Sequence, residues 1–169
     1  MGSVSKHPDP DKYEHGHIFC DIVVVGSGPA GLSAAANLIE SGFDVLLVEQ
    51  DSEVGGDYLN QTCDHPNFVE FISKIKQSNT RVMTRTTAFG IYDNTTLALL
   101  ERVTDHLSSP SPNIPRQRFW TVRSDFIVVA TGALERTFSF GNNDIPGVMT
   151  TNAAKTYLNR FGVLAGKEI

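Results

Sequence analysis

Six residues near the start of the chain carry its clearest chemical signal: Gly26-Ser27-Gly28-Pro29-Ala30-Gly31, with Glu49 farther on. In a run of this form the first glycine permits a tight turn, and the second lets the backbone approach a pyrophosphate with no Cβ in the way. The third lets a helix pack close against the strand before it. The N-terminus of that helix offers unpaired N–H groups and the positive end of its dipole to phosphates. An acid about 20 residues on is placed to accept hydrogen bonds from an adenosine ribose, and its charge repels a 2′-phosphate. The chemistry on offer is recognition of a dinucleotide, with NAD or FAD favoured over NADP.

Such a turn occurs in many α/β proteins, so the flanking elements decide its meaning. Before it stands CDIVVVG, a short Val-rich run of the kind that forms a strand buried on both faces. After it, LSAAANLIESG has helical spacing and composition, and Gly42 is a natural stop. FDVLLVEQ is a second buried strand ending at Glu49. Strand, glycine turn, helix, strand and acid make one βαβ unit.

Farther on, NFVEFISKIKQS predicts an amphipathic helix and TRVMT (80–84) a third parallel strand. TTAFGIYD, TLALLERVTDH and RFWTVRS are β-rich and predict a three-stranded meander covering one face of the sheet, although TLALLERVTDH alone is also compatible with a helix. DFIVVATGALERT predicts a further buried strand ending in Ala130-Thr131-Gly132. Thr151 to Phe161 reads as a helix stopped by Gly162, and Gly166-Lys167-Glu168-Ile169 as a turn and the first step of another strand. The expected fold class is α/β: a Rossmann-like parallel sheet with a three-stranded antiparallel meander. Residues 1–19 are expected to be a leader or linker, 20–136 an FAD/NAD(P)-binding domain, and 137–169 a connector and the start of a second dinucleotide-fold domain.

Composition narrows the classes. Of 169 residues, 40% are hydrophobic and 20% charged, as in an ordinary globular domain, and the net charge is −5. That balance argues against nucleic acid or an anionic membrane as partner. No apolar run approaches the ~20 residues that span a bilayer, and the polar first 17 residues do not read as a signal peptide. A cytoplasmic location is expected. His15 and His17 lie near Cys20, but the spacing matches no metal motif and no metal is expected. Arg116, Arg118, Arg136 and Asp144 sit near predicted loops, where packing or surface roles outweigh chemical ones, and Asn142-Asn143-Asp144 reads as a turn. No residue is assigned a catalytic role.

Gly55 and Gly56, shortly after the acid, resemble the flavoproteins with two dinucleotide domains typified by glutathione reductase and thioredoxin reductase. In that group the glycine pair passes over the cofactor, and Ala-Thr-Gly marks a strand end that contacts it. The disulfide reductases among them carry C-x4-C just after the glycines. Here the matching positions are Tyr58 and Cys63, and a single sulfur cannot form a redox disulfide.

Longer stretches are more specific. LLERVTDHL, PRQRFWTVRSDFIVVATGALERTFSFGNNDIPGVM and AAKTYLNRFGV resemble the α subunits of heterotetrameric sarcosine oxidases and their amine and opine oxidase relatives, over nearly the whole chain from about Asp9. The resemblance implies an internal piece of a much longer subunit. In that family the site holds a tightly bound NAD+ that is not reduced in turnover, an FMN lies between subunits, and other subunits of the hetero-oligomer are the partners. Carried over by motif, the NAD contacts are Gly26, Ser27, Gly28, Pro29, Ala30 and Gly31 in the turn, and Glu49 and Gln50 at the acid. Gly55, Gly56, Asp57, Thr87, Ala130, Thr131 and Gly132 complete the set. The expected function is the NAD+-binding part of an enzyme that oxidatively demethylates sarcosine. An FAD-binding piece of another amine or opine dehydrogenase and a truncated chain without catalysis are the alternatives.

Overall fold

The computed structural model describes residues 8–61 and 65–166. Among the described residues six strands form one sheet in the order β3-β2-β1-β6-β5-β4. They are β1 (Tyr13–Val25), β2 (Val45–Val48), β3 (Arg81–Met83), β4 (Thr86–Tyr92), β5 (Thr96–Arg102) and β6 (Gln117–Val129). The helices are α1 (Pro29–Glu40), α2 (Pro66–Gln77) and α3 (Thr151–Phe161), with a 3-10 turn at Gly56–Asn60. β1 pairs in parallel with both β2 and β6, and β2 with β3, whereas β4, β5 and β6 form an antiparallel meander.

Burial on two faces explains the continuous apolar runs. Successive strand residues point to opposite sides, so Ile22 and Val24 face one layer and Val23 the other. Ile22, Val24, Val45 and Leu47 pack with Leu32 and Ala35 of α1 and Ile75 of α2. Val23, Leu46 and Val48 pack with Ile18, Leu97, Leu99 and Val122. The second set joins the parallel strands to the meander, so the single sheet curls and its antiparallel part covers the face opposite the helices. α1 brings the small residues Gly31, Ala35 and Ala36 to the sheet, which lets its backbone approach closely.

The helix ends follow sequence signals. Gly42 takes φ +87° after α1, and the N–H groups of Gly42 and Phe43 donate to the Ile39 and Leu38 carbonyls. Thr150 Oγ1 caps α3 by accepting from Ala153 N, 3.3 Å away. At its far end Gly162 is left-handed at φ +64°, and Val163 N donates to Tyr157 O. Pairing with β4 on one side and β6 on the other holds Thr96–Arg102 in β5 despite its helix-compatible composition, so TLALLERVTDH is not a helix.

Two expectations are corrected. Tyr13 to Phe19, assigned to a leader, form the first half of β1 and pair residue by residue with β6 from Gln117 to Arg123. Their apolar content is low because backbone pairing and edge contacts hold them. The Trp120 ring lies over Gly16, and Arg118 Nε pairs with Glu14 at 2.9 Å. Likewise RFWTVRS and DFIVVATG are not two strands but one, β6, which runs beside β1 along its length and pairs with β5 of the meander through its first half. The expected strand start at 167–169 lies outside the described residues. No helix among the described residues is long and apolar enough to cross a membrane.

Leu47 is fully buried between the sheet and the two helices. Leu47→Ala is expected to destabilise the fold by about 2–5 kcal/mol, read as a lower urea midpoint with an unchanged slope. Leu134→Ala, at a side chain 95% exposed, leaves the midpoint in place.

Candidate functional site

The site forms where β1, β2 and β6 end together. Gly26 leaves β1 at φ +99°, a region that L side chains rarely adopt, and its N–H donates to Val48 O at 2.8 Å. A Cβ there would meet the Ala130 carbonyl, and Ala130 N in turn donates to Val25 O at 2.8 Å. The glycine turn is thereby seated between the ends of both neighbouring strands. Gly31, in the first turn of α1, lies so close to the Gly26 carbonyl that no side chain fits between them.

Gly28 is different. Its φ of −68° and ψ of −175° suit any L residue, and a Cβ built on it meets no atom within 4 Å. Neither backbone strain nor packing within the chain calls for glycine, so the space beside Gly28 is a cradle that a side chain would fill. It opens at the start of α1. Leu32 N already donates to Gly28 O and Pro29 has no N–H, which leaves Ala30 and Gly31 as first-turn donors without an intrahelical acceptor. A phosphate suits this surround in charge and hydrogen-bonding sense.

Glu49 fastens the turn from the β2 side. Only 8% exposed, its carboxyl Oε2 accepts from Ser27 N at 2.8 Å and Ser27 Oγ at 2.5 Å, and Oε1 accepts from Asp51 N at 2.9 Å. Its main chain is equally committed, donating to Met83 O and accepting from Thr86 N, both at 2.8 Å. One side-chain residue thus ties the glycine turn to the ends of β2 and β3 and the start of β4. Ser27, fully buried, faces Glu49 rather than the cradle, so its side chain holds the turn.

The Gly55-Gly56 segment lies across the same turn. Gly55 N donates to Ser27 O at 3.0 Å, and a Cβ on Gly56, where φ is +52°, would come within 2.7 Å of Gly28 Cα. The glycine pair lets one backbone cross another directly at the cradle. Gln50 lies exposed beyond the acid, its carbonyl accepting from Arg102 Nη2 at 2.7 Å. Asp57 is exposed on the 3-10 turn, within 3.4 Å of Asn60 Nδ2. Thr87 sits on β4 opposite Leu100, one residue past the buried Thr86 that bonds to Glu49. Thr131 is exposed beside the Gly26 turn, and Gly132 takes φ +76° as the chain leaves β6.

The other sequence candidates are structural. Arg116 joins Asp11 at 2.6 Å and Asp105 at 2.5 Å, tying the segments before β1, after β5 and before β6, and Arg118 of β6 joins Glu14 of β1 and Glu101 of β5. Asp144 lies in the turn read from Asn142-Asn143-Asp144. His15 bonds Thr121 Oγ1 and packs against His17 and Phe119. Burial pushes the Cys20 thiol up to about 11, away from thiolate reactivity. Tyr58 stacks against His65 and Phe68, while Cys63 lies outside the described residues. An open depression of about 750 Å³, lined by Cys20, Asp21, Asp44, Arg123 and Ser124 among others, lies at the middle of β1 and β6 and the start of β2, away from the glycine turn.

Two contacts at the site, made by four residues, carry no sequence signal that marks them. Arg160 Nη1 of α3 meets Asp51 Oδ2 at 2.5 Å, and Asn159 Nδ2 donates to Asn60 O at 2.6 Å. The Arg160 hydrogen bond holds the Asp51 carboxyl below the usual carboxylate range. The pair is therefore intact at neutral pH and is released only as pH falls through that lowered value.

Replacing Glu49 by Gln turns a donor toward a donor, since the amide NH2 takes the place of an oxygen that accepts from either Ser27 N or Asp51 N. Glu49→Gln is expected to lower stability by about 1–3 kcal/mol, measured by chemical denaturation. Ser27→Ala combined with it should cost less than the sum of the two single changes.

Comparison with known proteins agrees with this geometry. The chain is 39% identical over 174 aligned positions to the sarcosine oxidase subunit alpha of Rhizobium meliloti (strain 1021), with 99% of the chain covered. It is 38% identical to the sarcosine oxidase subunit alpha of Corynebacterium sp. (strain U-96), with 100% of the chain covered. It spans 18% of the length of each of these relatives. The crystal structure of L-proline dehydrogenase from P. horikoshii superposes on 99% of the chain with a TM-score of 0.71, at 24% identity and over 33% of that protein, which shows a shared fold. A family model described as pyridine nucleotide-disulphide oxidoreductase matches residues 20–167. With its glycine turn, acid and strand ends in one place, this chain belongs to the pyridine nucleotide-disulphide oxidoreductase family.

Proposed function

We propose that the chain is the NAD+-binding part of a sarcosine oxidase α-type subunit, supporting oxidative demethylation of sarcosine in a multi-subunit flavoenzyme. The observation that carries the dinucleotide reading is Gly28, a glycine that neither its backbone angles nor its neighbours require. A pyrophosphate beside it would receive the N–H groups of Ala30 and Gly31 and the positive end of the α1 dipole. Glu49, with three of its roughly four acceptor positions already used by Ser27 and Asp51, keeps one for an adenosine ribose hydroxyl. Gly55, Gly56 and Ala130 to Gly132 would line the path of the dinucleotide.

The choice of NAD+ over FAD and the multi-subunit setting rest on likeness to the sarcosine oxidase α subunits. In such an assembly the substrate flavin chemistry belongs to a partner subunit, with an FMN between subunits. That division suits a chain to which no catalytic residue is assigned. Here NAD+ serves as a bound structural group, and the chain's residues hold it rather than react with it.

The small molecule released on denaturing the purified protein, identified by mass and by absorption spectrum, tests this reading. NAD+ without the visible absorbance of oxidised flavin is expected. Released FAD would transfer the chain to the alternative, an FAD-binding piece of another amine or opine dehydrogenase. Gly28→Val should keep cooperative unfolding, because its Cβ has room, yet weaken NAD+ binding at least about tenfold, a step of ~1.4 kcal/mol. Unchanged affinity would move the phosphate away from Gly28.

A further inference from the structure

α3 lies far along the chain from the glycine turn, yet it reaches that site through two adjacent side chains. Asn159 Nδ2 donates to the carbonyl of Asn60, at the end of the 3-10 turn that begins with the Gly56 crossing. Arg160 Nη1 pairs with Asp51 Oδ2, while Asp51 N donates to Glu49 Oε1 and Asp51 O accepts from Arg85 N at 2.7 Å. Glu49 in turn holds Ser27, and Ser27 holds Gly55. A continuous chain of hydrogen bonds therefore runs from α3 to the cradle: Arg160, Asp51, Glu49, Ser27, and the crossing of Gly55-Gly56 over Gly28.

The two contacts also account for how α3 is held. It has no fully buried residue, and Tyr157, Leu158 and Phe161 are about half exposed. With little apolar surface covered, polar anchors supply a large share of its attachment. The side chains of Arg160 and Asp51 are 21% and 42% exposed, a setting in which an isolated pair contributes little. Here the pair is not isolated, since Asp51 also orients the carboxyl at the ribose end of the site.

We infer that Arg160 is a positioning residue for the dinucleotide site and that ligand binding and docking of α3 are coupled through the Arg160–Asp51–Glu49 chain. The inference rests on the dinucleotide reading given above. A ligand that fixes Glu49 and the glycine turn favours the arrangement to which Arg160 binds, and by linkage a docked α3 tightens the ligand. The bound dinucleotide then has work to do without being reduced: it sets the placement of α3 and of the residues that follow it.

Hydrogen–deuterium exchange of the α3 amides, with and without saturating NAD+, tests the coupling in the whole protein. In the unaltered chain NAD+ is expected to slow exchange across Ala154–Val163. Arg160→Ala should abolish that slowing and weaken NAD+ affinity about 5- to 20-fold, toward the lower end of the range seen for coupled sites. Arg160→Lys should restore part of both effects, and Lys155→Ala, at an exposed position of the same helix, should change neither. NAD+ binding that leaves α3 exchange unaltered, or full coupling in Arg160→Ala, would overturn the inference while sparing the dinucleotide reading. No binding of NAD+ to the unaltered chain would remove that reading, and this inference with it.

Discussion

The carboxyl group of Glu49 is the point on which the rest of this end of the molecule depends. It is buried, it accepts three hydrogen bonds from two segments of chain, and its own peptide groups bridge β3 and β4. A buried carboxyl without partners would cost several kcal/mol, so the segments that supply donors are constrained to stay. Ser27 must turn inward, Asp51 must present its N–H, and the chain between β2 and α2 must cross the glycine turn. The site is assembled around an acceptor that needs donors.

A second constraint operates through the sheet. β1 and β6, each 13 residues long, serve in two layers at once. Their later halves form the parallel sheet beneath α1 and α2, and their earlier halves carry the meander. Because the two strands are paired along almost their whole length, the curl that brings Leu97 and Leu99 onto Val23 and Leu46 also fixes the ends Val25 and Val129 side by side. Gly26 and Ala130 follow those ends, which is why the turn lies against the Ala-Thr-Gly segment.

The parts legible in the sequence are those written in local terms. The Val-rich runs, the glycines at required φ, the helical period of α2 and the stop at Gly162 all act within a few residues, and each element they predict is present, although the run Phe126–Val129, expected to be buried, leaves Phe126 and Val129 exposed. Tyr13–Phe19 were illegible as strand because their hold comes from β6, more than 100 residues away, and from Trp120 over Gly16 rather than from apolar alternation. The joining of two predicted strands into β6 was hidden in the same way, since Ser124 and Asp125 read as a break until β1 pairs across them. Within the site, Gly28 and Glu49 announce themselves by spacing. Ser27 was read as a ligand contact although its side chain faces Glu49, and Arg160 had no sign at all. A charged residue on an amphipathic helix becomes part of a site only through the tertiary placement of that helix.

The dinucleotide is proposed to lie over the ends of β1, β2 and β6. Amide chemical-shift mapping during titration with NAD+ tests this placement most directly. The account predicts that the perturbed amides cluster at Gly26–Leu32, Glu49–Gly56 and Ala130–Gly132, with α3 responding beyond them. Perturbations centred instead on Cys20, Asp44 and Arg123, around the depression at the middle of β1 and β6, would contradict it.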